Sequence, residues 1–200
     1  MSHVPAADRR RQFVDAAIKV ISTEGVARAT TRRIADAAGA PAASLHYCFR
    51  TKEEVLQAAF ETGTTDGLVT VGSAVTPGVG LREGIARVLE GFARWIREHP
   101  EIQMAQYELT LWSLRSESSR HLAQRVYRRY IDGCLQLLRE CRAPGDEDID
   151  LELLAREIIA LLDGHVLQWL ALGDDTFERM VDRSTRLLQD QFTPLPAATS

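Results

Sequence analysis

The sequence predicts an all-α protein, and three observations carry that expectation. Apolar residues recur at helical spacing through most of the chain, as in Phe13, Ala16, Ala17, Val20 and Ile21, or Leu81, Ile85, Val88, Leu89, Phe92 and Ile96. Gly and Pro fall between those stretches, at Gly25, Gly39, Pro77-Gly78, Pro100, Pro144-Gly145 and Gly173, where helices begin or end. No segment shows the bounded alternation of apolar and polar residues that a strand needs.

Taken in order, residues 1–7 carry no periodicity and are expected to be disordered. Asp8 to Glu24 reads as a first helix closed by Gly25, with Arg9, Arg10 and Arg11 ahead of its apolar stripe. Thr30 is an N-cap for a short helix whose apolar face is Ile34, Ala35 and Ala38. Gly39 suits the left-handed position after that helix, and Pro41 suits the first position of the next. Leu45 and Phe49 turn that helix inward, leaving Ala42, Ser44, His46 and Tyr47 outside. The pair reads as a helix-turn-helix, whose second helix is the one that enters a DNA major groove. Thr51 then caps a helix with Glu53 and Glu54 in its first turn, running to about Val71 as one rod.

A loop at Thr76–Gly80 precedes an amphipathic helix from Leu81 to His99, stopped at Pro100. Glu101 to about Arg115 follows, then a long helix from about Ser118 to Cys141 with Leu122, Val126, Tyr130, Cys134 and Leu138 inward. The next, about Asp148 to Leu172, is apolar nearly all round, so most of its circumference must be covered. A last helix spans about Asp175 to Phe192, and TPLPAATS is read as a frayed tail.

Composition excludes several classes. An apolar fraction of 45% and a charged fraction of 26% are ordinary for a globular protein. No run approaches the length of a membrane span, and the start has no apolar core like a signal peptide, so a cytoplasmic protein is expected. Cys48, Cys134 and Cys141 have neither disulfide-framework nor zinc spacing. A redox role for Cys134 and Cys141 is weighed below inert burial. Neither a nucleophile–base pair, a metal-ligand cluster nor a cofactor fingerprint is present, so no catalytic residue, metal or cofactor is assigned. Net charge is −4, yet residues 1–52 hold nine Lys+Arg against four Asp+Glu, and the remainder hold fifteen against twenty-four. A basic head on an acidic body is compatible with duplex DNA as partner, because only the head need meet phosphates, and Arg9, Arg10 and Arg11 are expected either along the DNA backbone or as a solvated basic terminus.

The string TTRRIADAAG, then SLHYCF, then TKEEVL resembles the DNA-binding domain of the TetR family of bacterial transcriptional regulators. Thr30, Thr31, Ile34, Ala35, Ala38, Gly39, Leu45, Phe49, Lys52 and Glu53 match its pattern. Ala40, Pro41, Ala43, His46 and Cys48 depart from the usual Val, Ser, Gly, Tyr and His, which bears on individual contacts and on the operator sequence rather than on the fold. The resemblance implies a DNA-binding domain over residues 1–52 and a helical ligand-binding and dimerisation domain over 53–200. It implies phosphate contacts at Thr31 and Lys52, supplemented by Arg32 or Arg33. His46 would lie against backbone or base edge, and base reading would fall to Ala42, Ser44 and Tyr47.

By the same resemblance the last two helices form a homodimer interface. Periodicity offers Leu154, Ile158, Leu161, Leu162 and Leu170 from one helix, and Phe177, Met180, Val181, Leu187 and Leu188 from the other. The central helices would enclose a small-molecule effector among Phe92, Trp95, Met104, Tyr107, Leu111, Trp112, Tyr127, Tyr130 and Trp169, with Glu108, Asp163 and His165 as polar groups. The expected function is a ligand-responsive, homodimeric repressor on a palindromic operator. Against it stand a constitutive or architectural DNA binder without a ligand, and an all-α enzyme.

Overall fold

The computed structural model describes residues 5–115, 117, 119–146 and 148–190. Among them are nine α-helices: α1 (Ala6–Glu24), α2 (Thr31–Ala37), α3 (Ala42–Cys48), α4 (Lys52–Gly72), α5 (Leu81–Glu98), α6 (Pro100–Leu114), α7 (Arg120–Cys141), α8 (Leu151–Leu172) and α9 (Phe177–Asp190). A 3-10 turn, Val26–Arg28, joins α1 to α2 and was not foreseen by periodicity, since three residues are too few to show any. Residues 1–4 and the tail from 191 lie outside the described residues, as do the expectations made for them, but the disorder expected as far as residue 7 does not reach Ala6 and Ala7, which already belong to α1.

The chain divides into two compact units, Met1–Asp66 with Glu98–Arg129, and Gly67–Arg97 with Tyr130–Ser200. In the first, α1, α2 and α3 close on Phe13, Ile21, Ile34, Leu45 and Phe49, all essentially without solvent contact. Burying five large apolar side chains at ~1.5–3 kcal/mol each is what lets so small a helical head hold together. α6 packs along α1 in this unit. In the second, α8 pairs with α9, and the loop ahead of α5 is pinned by Asp146, whose carboxylate accepts from the amides of Leu81 (2.9 Å) and Ala143 (3.0 Å).

Two cap expectations hold at atomic level. The Thr30 hydroxyl accepts from the Arg33 amide at 3.1 Å, and Thr51 from the Glu54 amide at 3.2 Å while the Glu54 carboxylate reaches back to the Arg50 amide at 2.8 Å. Two details differ. Pro41 is the N-cap of α3 rather than its first residue, with extended ψ of 141°, and no side chain caps that helix. Phe49 is buried as expected but stands just past α3 with extended backbone, so Leu45 is the inward residue of the helix proper.

Candidate nucleic-acid interface and candidate effector residues

The helix-turn-helix is set by Gly39, whose φ of 62° permits the reversal between α2 and α3 that a side chain would oppose. With Leu45 and Phe49 anchored, α3 presents Ala42, Ala43, His46 and Tyr47 outward, and Tyr47 is 87% exposed. Ser44 is half-buried, at the edge of that face. A phenol so exposed on a short, firmly seated helix is free to meet a groove edge, whereas the two alanines offer only methyl contact.

Around this face the charged residues differ in availability. Arg32 is exposed and takes part in no ion pair or side-chain hydrogen bond among the described residues. Arg33 instead pairs with Glu24 through Nε at 2.9 Å, and that guanidinium holds the Glu24 carboxyl below its ordinary range. Of the two arginines expected to add phosphate contacts, Arg32 is therefore the one whose head is uncommitted. Lys52 is half-buried, and its ammonium donates to the Val26 carbonyl at 3.2 Å, tying α4 to the 3-10 turn with two donors left over. Thr31, also half-buried, opens α2. Arg10 of α1 donates to the Cys48 carbonyl at 2.8 Å and lies over the Phe49 ring at 4.0 Å, bracing the end of α3. Sequence reasoning gave Arg10 no such role, because 38 residues separate it from Cys48.

The residues expected to line an effector pocket fall into both units. Met104, Tyr107, Glu108, Leu111, Trp112 and Tyr127 belong to the first, and Phe92, Trp95, Tyr130, Asp163, His165 and Trp169 to the second. Within the first, Met104, Glu108 and Leu111 project from an exposed face of α6, and Tyr107, Trp112 and Tyr127 are half-buried. Within the second, Phe92 and Trp95 are buried on α5. Trp169 stacks on Phe177 with centroids 5.3 Å apart, and Arg97, paired with Glu178, lies 5.8 Å from the Trp169 ring. His165 Nε2 is 2.8 Å from the Ser184 hydroxyl, joining α8 to α9, and burial pushes its pKa down.

Sequence reading missed the buried polar residues of α6. Gln103 and Gln106 are both buried, and Gln106 Nε2 donates to the Phe60 carbonyl at 2.9 Å while its Oε1 is buried without a partner. A Gln on a helix looks like a solvated residue in sequence, and only its place between helices reveals an unpaired acceptor.

Of the residues expected at a dimer interface, Leu154, Ile158, Leu162, Phe177, Val181 and Leu188 are buried within the single chain and face its own core. Leu161, Leu170 and Met180 are half-buried, and Leu187 is exposed. Leu153, Leu167 and Leu172, which were not singled out, are exposed on α8. The thiols are poor redox partners. Cys134 is fully buried with its pKa pushed up to about 12, and seven residues of helix separate it from Cys141 by ~10 Å, beyond disulfide reach. No described helix is long and apolar enough to cross a membrane, and the described residues contain no cluster of three metal-ligating side chains.

Comparison with known proteins agrees with this geometry. Residues 13–59 match the profile of bacterial regulatory proteins, tetR family, and residues 80–190 that of the tetracyclin repressor-like C-terminal domain. The chain is 32% identical over 173 residues to the HTH-type nicotine-responsive transcriptional repressor HdnoR of Paenarthrobacter nicotinovorans, covering 86% of this chain and 89% of that one. Its fold is similar to that of a TetR-family transcriptional regulator from Rhodococcus sp., with TM-score 0.80 and 20% identity over 94% of this chain and all of that one. It is also similar to the multidrug-binding protein EbrR complexed with imidazole, with TM-score 0.64 and 25% identity over 96% and 98% of the two chains. Members of this family are DNA-binding regulators rather than enzymes, and this chain belongs to the TetR family of bacterial regulatory proteins.

Proposed function

We propose that the protein is a homodimeric repressor that leaves a palindromic operator when a small, largely apolar effector occupies its body. Residues 1–52 act as the DNA-binding head and 53–200 as the effector-binding and dimerisation body. The observation that carries the reading is the outward face of α3, Ala42, His46 and Tyr47 with Ser44 at its edge, seated on buried Leu45 and Phe49. Thr31, Arg32 and Lys52 flank that face and supply phosphate contacts, with Arg33 a weaker contributor because Glu24 already holds it. Such a helix has few bidentate base readers, so most of the affinity comes from the backbone and depends on salt.

Two heads from a symmetric pair would meet half-sites about one helical turn apart, ~34 Å, or a multiple of it. The effector acts by binding one head spacing better than the other, since equal affinity for both shifts nothing. α4 begins in the head and runs on to Gly72, and is the element that carries the change. The name of the nicotine-responsive relative, and the imidazole bound to EbrR, make small nitrogen heterocycles the first effectors to try.

Selection of bound fragments from genomic DNA, followed by gel shift with and without nicotine or imidazole, tests the reading. A twofold-symmetric site is expected, and its affinity should fall with one of these compounds or with a molecule co-purifying from cell extract. Lys52→Gln should weaken binding to all sequences and reduce the slope of log K against log salt by about 1. Operator affinity indifferent to every compound tried would leave a constitutive DNA binder. An unchanged salt slope would remove Lys52 from the interface.

A further inference from the structure

In the first compact unit, α1 and α4 leave a cleft of about 480 Å³ that shares no residue with the effector assignments above. Small or short side chains line it, Ala7 and Val14 of α1 with Ala58, Thr62 and Thr65 of α4, and these leave the space open. Arg10, Arg11 and Arg129 stand at its rim with two carboxylates, Glu61 and Asp66. A volume of this size admits a small organic molecule.

The charges at the rim do not cancel evenly. Asp66 is taken by Arg11 at 2.8 Å. Glu61 accepts from Gln57 at 2.9 Å and faces Arg125 at 3.6 Å. Arg129 has no ion pair or hydrogen bond among the described residues, and Arg10 is held only by a neutral carbonyl and a ring face. Two arginines without a carboxylate partner among the described residues, Arg10 and Arg129, thus line one cleft.

We propose that this cleft binds a small organic oxyanion, a carboxylate or a phosphate monoester, whose charged group lies between Arg10 and Arg129 and whose stem covers Ala7, Ala58 and Thr62. Guanidinium is the group best suited to grip either oxyanion, through paired N–H donors. The binding itself does not depend on the DNA-binding reading, but its consequence does. Arg10 also braces the Cys48 carbonyl and Phe49 ring, so an anion that draws its guanidinium away loosens the end of α3 and lowers operator affinity.

The full-length protein is titrated separately with inorganic phosphate and with butyrate at constant ionic strength, following heat of binding and melting temperature. Saturable binding of at least one probe is expected, and the one preferred fixes the class of oxyanion. Arg129→Gln should weaken it about tenfold with no change in melting temperature when no anion is present. Arg128→Gln, one residue away and equally unpaired, should bind as the parent does. No saturable binding of either probe, or an equal loss in both variants, overturns the site. Operator affinity that ignores a bound anion overturns the coupling through Arg10 while leaving the site intact.

Discussion

At the scale of single residues, His165 shows how a position in the fold becomes a pH dependence. Its ring lies between α8 and α9 with Nε2 on the Ser184 hydroxyl, and burial lowers its pKa below the ordinary 6.5. The folded chain therefore refuses a proton that the unfolded chain accepts as pH falls through that value. Stability from this group is complete above pH ~6.5 and declines as pH drops beneath it. Glu24 and Asp174, whose carboxyls are depressed by Arg33 and Thr176, lose their contributions only in the separate window below their unfolded values of 4.5 and 3.8. The expected outcome is a melting temperature that falls between pH 7.5 and 5.5, and falls less in His165→Gln, which cannot titrate. An identical slope in the two proteins would place the proton elsewhere. The caps at Thr30 and Thr51 were legible because a cap is a local event. The pairing of Arg33 with Glu24 and of Lys52 with Val26 was not, because each crosses the turn that only the fold closes.

At the scale of elements, α4 was read as a rod from its caps and periodicity, and it is one unbroken helix from Lys52 to Gly72. Its second half, ETGTTDGLVTVG, is built from poor helix formers, and the division between the two compact units falls inside it, after Asp66. Periodicity records where apolar residues lie, not how firmly a helix is held, so this weakness is visible only from propensity. Gly63 has a packing reason to be there. A Cβ at that position would come within 2.6 Å of Ile102 Cγ2 and 2.7 Å of Gln106 Nε2. Gly63→Ala would gain ~1 kcal/mol of helix propensity and set against it ~1–3 kcal/mol of overpacking. It would also disturb the Gln106 bond to the Phe60 carbonyl in a site that already holds one unpaired acceptor. The clash is the larger effect, because a branched Ile and a buried amide have little room to yield. A net loss of up to ~2 kcal/mol is expected, a fall in melting temperature of a few degrees for a chain of this size, measured by thermal denaturation. A gain in stability would show that α4 and α6 can separate there at no cost.

At the scale of the molecule, the pattern of α8 decides what the chain lacks. Its sequence is apolar nearly all round, yet only Leu151, Leu154, Ala155, Ile158, Leu162 and Val166 are buried in the single chain. Leu153 and Leu167 stay 53% and 51% exposed, and on α9 Leu187 stays 57% exposed. The all-apolar circumference was legible, but the division into an inner and an outer face was not, since both faces carry leucine. That division separates two kinds of substitution. Ile158→Ala or Phe177→Ala removes a fully buried side chain and should cost ~2–5 kcal/mol, lowering stability whatever the oligomeric state. Leu167→Glu places a carboxylate on a surface already open to water, and surface changes rarely move stability by more than ~0.5 kcal/mol. If the outer face of α8 is where two copies meet, the same carboxylate meets its symmetry mate in an apolar interface, and the dimer should fail. The expected outcome for Leu167→Glu is a monomer by sedimentation, with unaltered helical circular dichroism and a steep loss of operator affinity, because one head alone spans half the site. A Leu167→Glu protein that still sediments as a dimer would exclude this face and move the interface to another surface of the chain.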